Sequence, residues 1–186
     1  MKTEIARGLR MLRDAKDEVR LERLLDVFEG CGRQILDSID DETMTQYCGR
    51  ERGRIVSFLS IRDRGTPRGD TRVLSNMIYN VCTDPRRRGR GLMKILLARL
   101  MEDCRAQKRR RLHLEVFKNN IPAIRLYETM GFQYLRDAGE ERKDSIVMRL
   151  TLSSCPWRGV KTEGAGLPPS GECGRRARRN CGREEN

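Results

Sequence analysis

The most constraining stretch of the chain runs from VLSNMIYNV (73–81) through TDPRRRGRG (83–91) into an amphipathic segment that ends near Gln107. The first part reads as a strand with apolar residues on both faces. The last part reads as a helix over 91–107, because Met93, Leu96, Leu97, Leu100 and Cys104 share one stripe while Lys94, Glu102 and Arg105 face away. The first N–H groups of such a helix lack intrahelical partners and point into the loop before it. The helix dipole adds partial positive charge at the same place, which favours phosphate. Gly89 and Gly91 allow the backbone close approach to a ligand, and the four arginines of the loop supply charge-assisted bonds to phosphate oxygens. In physical terms the segment is a pyrophosphate cradle. Its spacing matches neither GxGxxG nor the P-loop pattern, which disfavours dinucleotides and nucleoside triphosphates as the ligand.

The flanking sequence alternates helices and strands, an α+β pattern. Leu21, Leu24, Leu25 and Phe28 recur at helical spacing and predict a helix over 19–28, capped by Asp14 or Asp17. A more acidic helix is expected over 33–41. Short β-favouring runs come next at 45–49 and 54–61, separated by the turn-like residues 50–53, and 62–72 is a polar Gly/Pro loop. LHLEVF (112–117) alternates with period two, as a strand does. Asn120 then caps a short helix with Pro122 in its first turn and Gly131 just past its end. Residues 133–135 and 145–152 are expected to close the domain as a hairpin across an acidic loop. After Leu152 the periodicity stops and Gly, Pro, Ser and charge take over. The chain is thus expected to comprise one domain over 1–152 and a disordered basic tail over 153–186.

The spacing of Val81, Arg86, Gly89 and Gly91, V-x4-R-x2-G-x-G ahead of an amphipathic helix, resembles the acetyl-CoA-binding motif of the GNAT superfamily of N-acetyltransferases. LEVFKNNIPAIRLYETMGF (114–132) resembles that family's second signature: a strand, an asparagine and an LYxxxGF helix. The resemblance implies an α+β fold over roughly residues 3–152, a mixed and mainly antiparallel sheet of about seven strands with about four helices. The sheet is splayed between its fourth and fifth strands, and acetyl-CoA lies in the V. Carried over, the backbones of Val81 and Thr83 bond the pantetheine arm, with the Val81 N–H facing the thioester oxygen. Arg86, Arg87, Arg88, Gly89, Arg90, Gly91 and Leu92 hold the pyrophosphate. Asn120 bonds the cofactor or steadies the helix start, and Tyr127 protonates the leaving thiolate. Thr83 stands where the family commonly has proline, a change that backbone bonding should survive.

The implied chemistry is attack of a neutral primary amine on a thioester. An amine of pKa near 10.4 needs about 3 pH units, roughly 4 kcal/mol, to expose its lone pair at neutral pH, so a general base is expected. Glu115 is the candidate. It lies twelve residues before Tyr127, a spacing that resembles the subgroup acetylating protein N-termini. Its plainer reading is a strand carboxylate paired with an arginine. His113 alternates with Leu112 and Leu114 and reads as structural. Cys82 adjoins the thioester, yet nothing nearby in sequence would activate it, so direct transfer is expected.

Asp37, Asp40, Asp41 and Glu42, with Glu140, Glu141 and Asp144, fall where the resemblance implies an acceptor wall. They hint at a cationic acceptor: a lysine side chain, a basic peptide or a polyamine. A protein N-terminus and an aminoglycoside are carried beside these as acceptors. The plain reading of the acidic residues is solvated loop charge. The chain carries +12, of which the tail from 153 supplies +3, so the folded part is itself basic. Nucleic-acid association through QKRRR (107–111), the arginine loop and RRARR (175–179) is the competing class of function. Only four Phe, four Tyr and one Trp are available for stacking on bases. A coenzyme A-binding protein without catalysis is a third reading. No apolar run reaches membrane length, and the N-terminus makes a poor signal peptide. Seven cysteines without a CxxC pair, and a single histidine, predict reduced thiols and no metal site. The expected location is cytoplasmic, or nuclear if RRARR directs import.

Overall fold

The computed structural model describes residues 1–39, 43–62 and 76–153. Strand residues expected at 73–75, most of the loop expected at 62–72, and Asp40, Asp41 and Glu42 lie outside the described residues. So does the tail from 154, with RRARR, Cys155, Cys173 and Cys181.

Among the described residues seven strands form one sheet: β1 (Lys2–Arg7), β2 (Met44–Glu51), β3 (Arg54–Arg62), β4 (Met77–Thr83), β5 (Arg111–Phe117), β6 (Gln133–Asp137) and β7 (Ser145–Thr151). Their spatial order is β1-β2-β3-β4-β5-β7-β6. Every neighbouring pair is antiparallel except β4 with β5. That parallel contact needs a crossover connection, which α3 (Leu92–Ala106) supplies. Helices α1 (Ala15–Leu25), α2 (Gly32–Ser38) and α4 (Ile121–Thr129) complete the domain.

The side-chain alternation of the strands divides the interior into two cores. Tyr47, Leu59 and Ile61 pack with α3 and α4, while Cys48, Ile55 and Phe58 pack with α1 and α2. Leu96, Leu97 and Leu100 of α3 are fully buried, as their stripe predicts; each contributes about 1.5–3 kcal/mol by leaving water.

Four elements differ from what the sequence pattern predicts. Strand β1 was not expected. Lys2, Glu4 and Arg7 leave it little apolar pattern, and such charge is how an edge strand avoids pairing with other chains. Helix α1 runs Ala15–Leu25 rather than 19–28: the Asp14 carboxylate accepts from the Asp17 N–H at 2.8 Å and starts it earlier, and Phe28 lies beyond its end. Helix α2 ends at Ser38, short of the expected 41. The turn between β2 and β3 narrows to Arg52 and Gly53, with φ of 48° and 77°, the two-residue form that suits strand twist.

Candidate active site

Among the described residues, strands β4 and β5 pair at two positions, Met77 with His113 and Ile78 with Leu114. Beyond these, β4 stays with β3 and β5 turns to β7. The sheet therefore opens as a V between the fourth and fifth strands. His113 is buried at its closed end, where its N–H donates to the Asn76 carbonyl at 3.1 Å.

The open half of β4 contains a β-bulge that sequence reasoning missed. Phe58 pairs with Cys82 and Ser60 with Tyr79, so Asn80 and Val81 together stand opposite Leu59. Asn80 takes φ of 54°, and its side-chain amide donates to the Ser60 hydroxyl at 3.2 Å. A bulge inserts one residue and reverses the facing of the residues beyond it. Ile78 and Cys82, four residues apart, accordingly pack into opposite cores. The backbone of Val81 is thereby turned at the wall of the V. The only sequence signal was an asparagine in a strand, a residue that tolerates positive φ.

A cleft of about 630 Å³ occupies the V, within the range typical of ligand sites. Val81, Cys82 and Thr83 form one wall and Asn120, Leu126 and Tyr127 the other. Arg87, Arg88, Gly89, Gly91 and Leu92 line the end at the start of α3. Gly89 and Gly91 take φ of 73° and 71°, and open space lies where their Cβ atoms would be. Gly91 is the N-cap of α3 and offers no side chain to its first N–H groups. Of the seven residues expected to hold the pyrophosphate, these five line the cleft and two do not. Arg86 does not line the cleft; its N–H is held by the Asp84 carboxylate at 2.9 Å. Arg90 also lies off the wall, 3.2 Å from Glu51, a carboxylate that Arg87 shares at 3.3 Å. Lys94, Met93 and Phe28 line the cleft too and were not expected to.

Asn120 caps α4, its side-chain oxygen accepting from the Ala123 N–H at 3.3 Å. Tyr127 is buried, its ring 5.8 Å from that of Phe132. Burial, and then the Cys82 thiol beside it, push the Tyr127 hydroxyl above the ordinary phenol range, so it holds its proton at neutral pH. Burial likewise raises the Cys82 thiol. Since the thiolate is the nucleophile, this shift disfavours a covalent role for Cys82.

A second cavity of about 250 Å³ adjoins the first, and the two share Phe28, Val81, Phe117, Asn120 and Tyr127. Glu115 lines this smaller cavity and is paired with Arg142 at 2.8 Å. The plainer sequence reading of Glu115, a strand carboxylate beside an arginine, is thus realised; it is compatible with a proton-accepting role. Of the expected acidic wall, Asp37, Glu140 and Asp144 are exposed.

The chain belongs to the acetyltransferase (GNAT) family, whose model matches residues 9–132. It is similar to the ribosomal protein bS18-alanine N-acetyltransferase of Salmonella typhimurium, 34% identical over 84 residues, 41% of this chain and 55% of the relative. It is similar also to the spermine/spermidine N(1)-acetyltransferase of Bacillus subtilis, 44% identical over 52 residues, 27% of this chain and 34% of that one. The chain thus spans between a third and just over half the length of these curated relatives. Among solved structures, an aminoglycoside 6'-N-acetyltransferase complexed with coenzyme A shares the fold at a TM-score of 0.61 and 12% identity, over 80% of this chain and 97% of that one.

Proposed function

We propose that the chain is an acetyl-CoA-dependent N-acetyltransferase that moves an acetyl group to a primary amine by direct attack in a ternary complex. The observation that carries this reading is the junction of the two cavities at Val81 and Tyr127. A donor in the larger cleft and an amine in the smaller one meet there without any covalent relay through the protein.

Bound in the cleft, acetyl-CoA supplies the electrophilic thioester. Arg87, Arg88, the Gly89–Gly91 turn and the start of α3 hold the pyrophosphate, with Arg86 and Arg90 raising the local positive potential. Phosphate oxygens compete with Glu51 for Arg87 and Arg90. The backbones of Val81 and Thr83 would hold the pantetheine arm, and the Val81 N–H would be a fixed donor where negative charge develops. Glu115 accepts the proton of the incoming ammonium. Tyr127 would give its proton to the departing sulfur and regain one, by way of solvent, from the nitrogen that becomes the amide. Asn120 serves by fixing the start of α4, which carries Tyr127.

The favoured acceptor is a protein amine, an N-terminus or a lysine, supported by the longer of the two stretches of likeness. A polyamine or aminoglycoside is the second reading. The arginine-rich loop is taken up by the donor, which leaves nucleic-acid binding to segments away from the V. The proposed location is the cytoplasm. Acetyl-CoA-dependent release of free thiol, measured against N-terminal peptides, lysine peptides, polyamines and aminoglycosides, tests the assignment. Turnover on one class supports it and names the acceptor; coenzyme A binding without turnover on any class favours a binding-only protein.

A further inference from the structure

The loop joining β6 and β7 places a cation in the smaller cavity. Both ends of the loop are fixed: the Ala138 N–H donates to the Ser145 carbonyl at 3.1 Å, and the Lys118 N–H donates to the Asp144 carbonyl at 2.7 Å. Within it the Arg142 N–H closes a turn on the Gly139 carbonyl at 3.1 Å. This framework carries the Arg142 guanidinium to Glu115, where it donates to Oε2 at 2.8 Å. The Arg142 side chain is 66% exposed and Glu115 only 22%. Among the described residues lining the cavity, these two are the charged ones.

We propose that Arg142 is a positioning and specificity-determining residue for the acceptor: it stands in for the substrate ammonium on Glu115, yields to a single incoming amine, and repels acceptors that carry a second cation. The site then takes the N-terminus of a polypeptide whose first residues are uncharged, in preference to a polyamine. This rests on the reading of the smaller cavity as the acceptor site. Exposed ion pairs are weak, so the substrate ammonium exchanges for the guanidinium with little loss. Once displaced, Arg142 remains on its fixed loop. A second ammonium three or four methylenes from the first lies within about one Debye length, ~8 Å, of that guanidinium, where their repulsion is only partly screened. Specificity built on a repulsive element of this kind acts against the wrong partner more than it favours the right one.

The test compares the wild-type protein with Arg142→Gln and Arg142→Lys, using two acceptors: an alanine-led peptide amide with no other charged group, and spermidine. Acetyl-CoA affinity is measured by calorimetry in all three proteins. In Arg142→Gln, kcat/KM for spermidine relative to the peptide is expected to rise by about tenfold, equivalent to about 1.4 kcal/mol, mainly through a lower KM for spermidine. Arg142→Lys is expected to keep the wild-type ratio, and acetyl-CoA affinity to be equal in all three. An unchanged ratio in the glutamine variant overturns the proposal, as does a wild-type preference for spermidine. A joint shift of the lysine and glutamine variants marks a merely structural role and overturns it too. In these cases acetyl-CoA binding and turnover persist and the acetyltransferase reading stands. Acetyl-CoA binding with turnover on neither acceptor removes the proposal and leaves the donor site. Absence of acetyl-CoA binding removes both.

Discussion

The proposed chemistry falls to two side chains that approach the junction of the cavities from different elements. Tyr127 enters from α4, buried and protonated; Glu115 enters from β5, held at the rim by Arg142. General acid–base groups of this kind contribute about 10²–10⁴-fold each. Tyr127→Phe is therefore expected to lower kcat by about 10²–10⁴-fold while leaving acetyl-CoA affinity within about twofold, read by thiol release and calorimetry. Loss of cofactor binding together with kcat would assign Tyr127 to packing against Phe132 instead. Glu115→Gln has a different signature. Without a base the reactive species is the amine already neutral in solution, so kcat/KM in the variant should climb about tenfold per pH unit below the amine pKa, about 8 for a polypeptide N-terminus and about 10 for a lysine. A flat profile would remove Glu115 from the proton's path.

At the scale of the element, the start of α3 is where backbone conformation and ligand chemistry coincide. Gly91 takes positive φ, which costs an L-residue about 1–2 kcal/mol, and it lines the cleft, with open space where a methyl group would stand. Gly91→Ala should lose that stability and also weaken acetyl-CoA binding about tenfold or more. Gly53→Ala, at the same kind of φ in the β2–β3 turn, should lose comparable stability with acetyl-CoA affinity unchanged. Equal affinities in the two variants, by calorimetry, would place the phosphates elsewhere. Elements with a strong period were legible in the sequence for the same physical reason that they fold: the Met93, Leu96, Leu97 and Leu100 stripe is the contact of α3 with the sheet, and the Asn120 and Pro122 start of α4 is a local cap. The bulge at Asn80 was not legible, because it is a property of the pairing between two strands. Arg142 was missed for a similar reason. Its partner is 27 residues away, and no local pattern marks a loop arginine that returns to a neighbouring strand.

At the scale of the whole molecule, one buried arginine ties the N-terminal elements to the sheet. Arg50 on β2 donates to Glu4 of β1 at 2.6 Å, to Asp17 of α1 at 3.0 Å and to the carbonyls of Met11 and Gly53 at 3.0 and 2.8 Å. This network fixes α1, whose C-terminal end leads to Phe28 at the edge of both cavities. The hydrogen bond from Arg50 holds the Asp17 carboxyl below the usual carboxylate range. Its stabilising effect is therefore full above the unfolded pKa of about 3.9 and is lost as pH falls through the lower native value. Asp17→Asn should cost about 1.5–3 kcal/mol in urea unfolding at pH 7, and the gap to wild type should close below about pH 4; a gap independent of pH would contradict the assignment. Direct attack, as proposed, requires donor cleft and acceptor cavity to be filled together and to meet at Val81 and Tyr127. Two-substrate initial-rate kinetics, with mass analysis of the protein after exposure to acetyl-CoA alone, test it most directly. Intersecting double-reciprocal lines and an unmodified protein are predicted. Parallel lines with an acetyl group retained on Cys82 would show transfer through the protein and contradict direct attack.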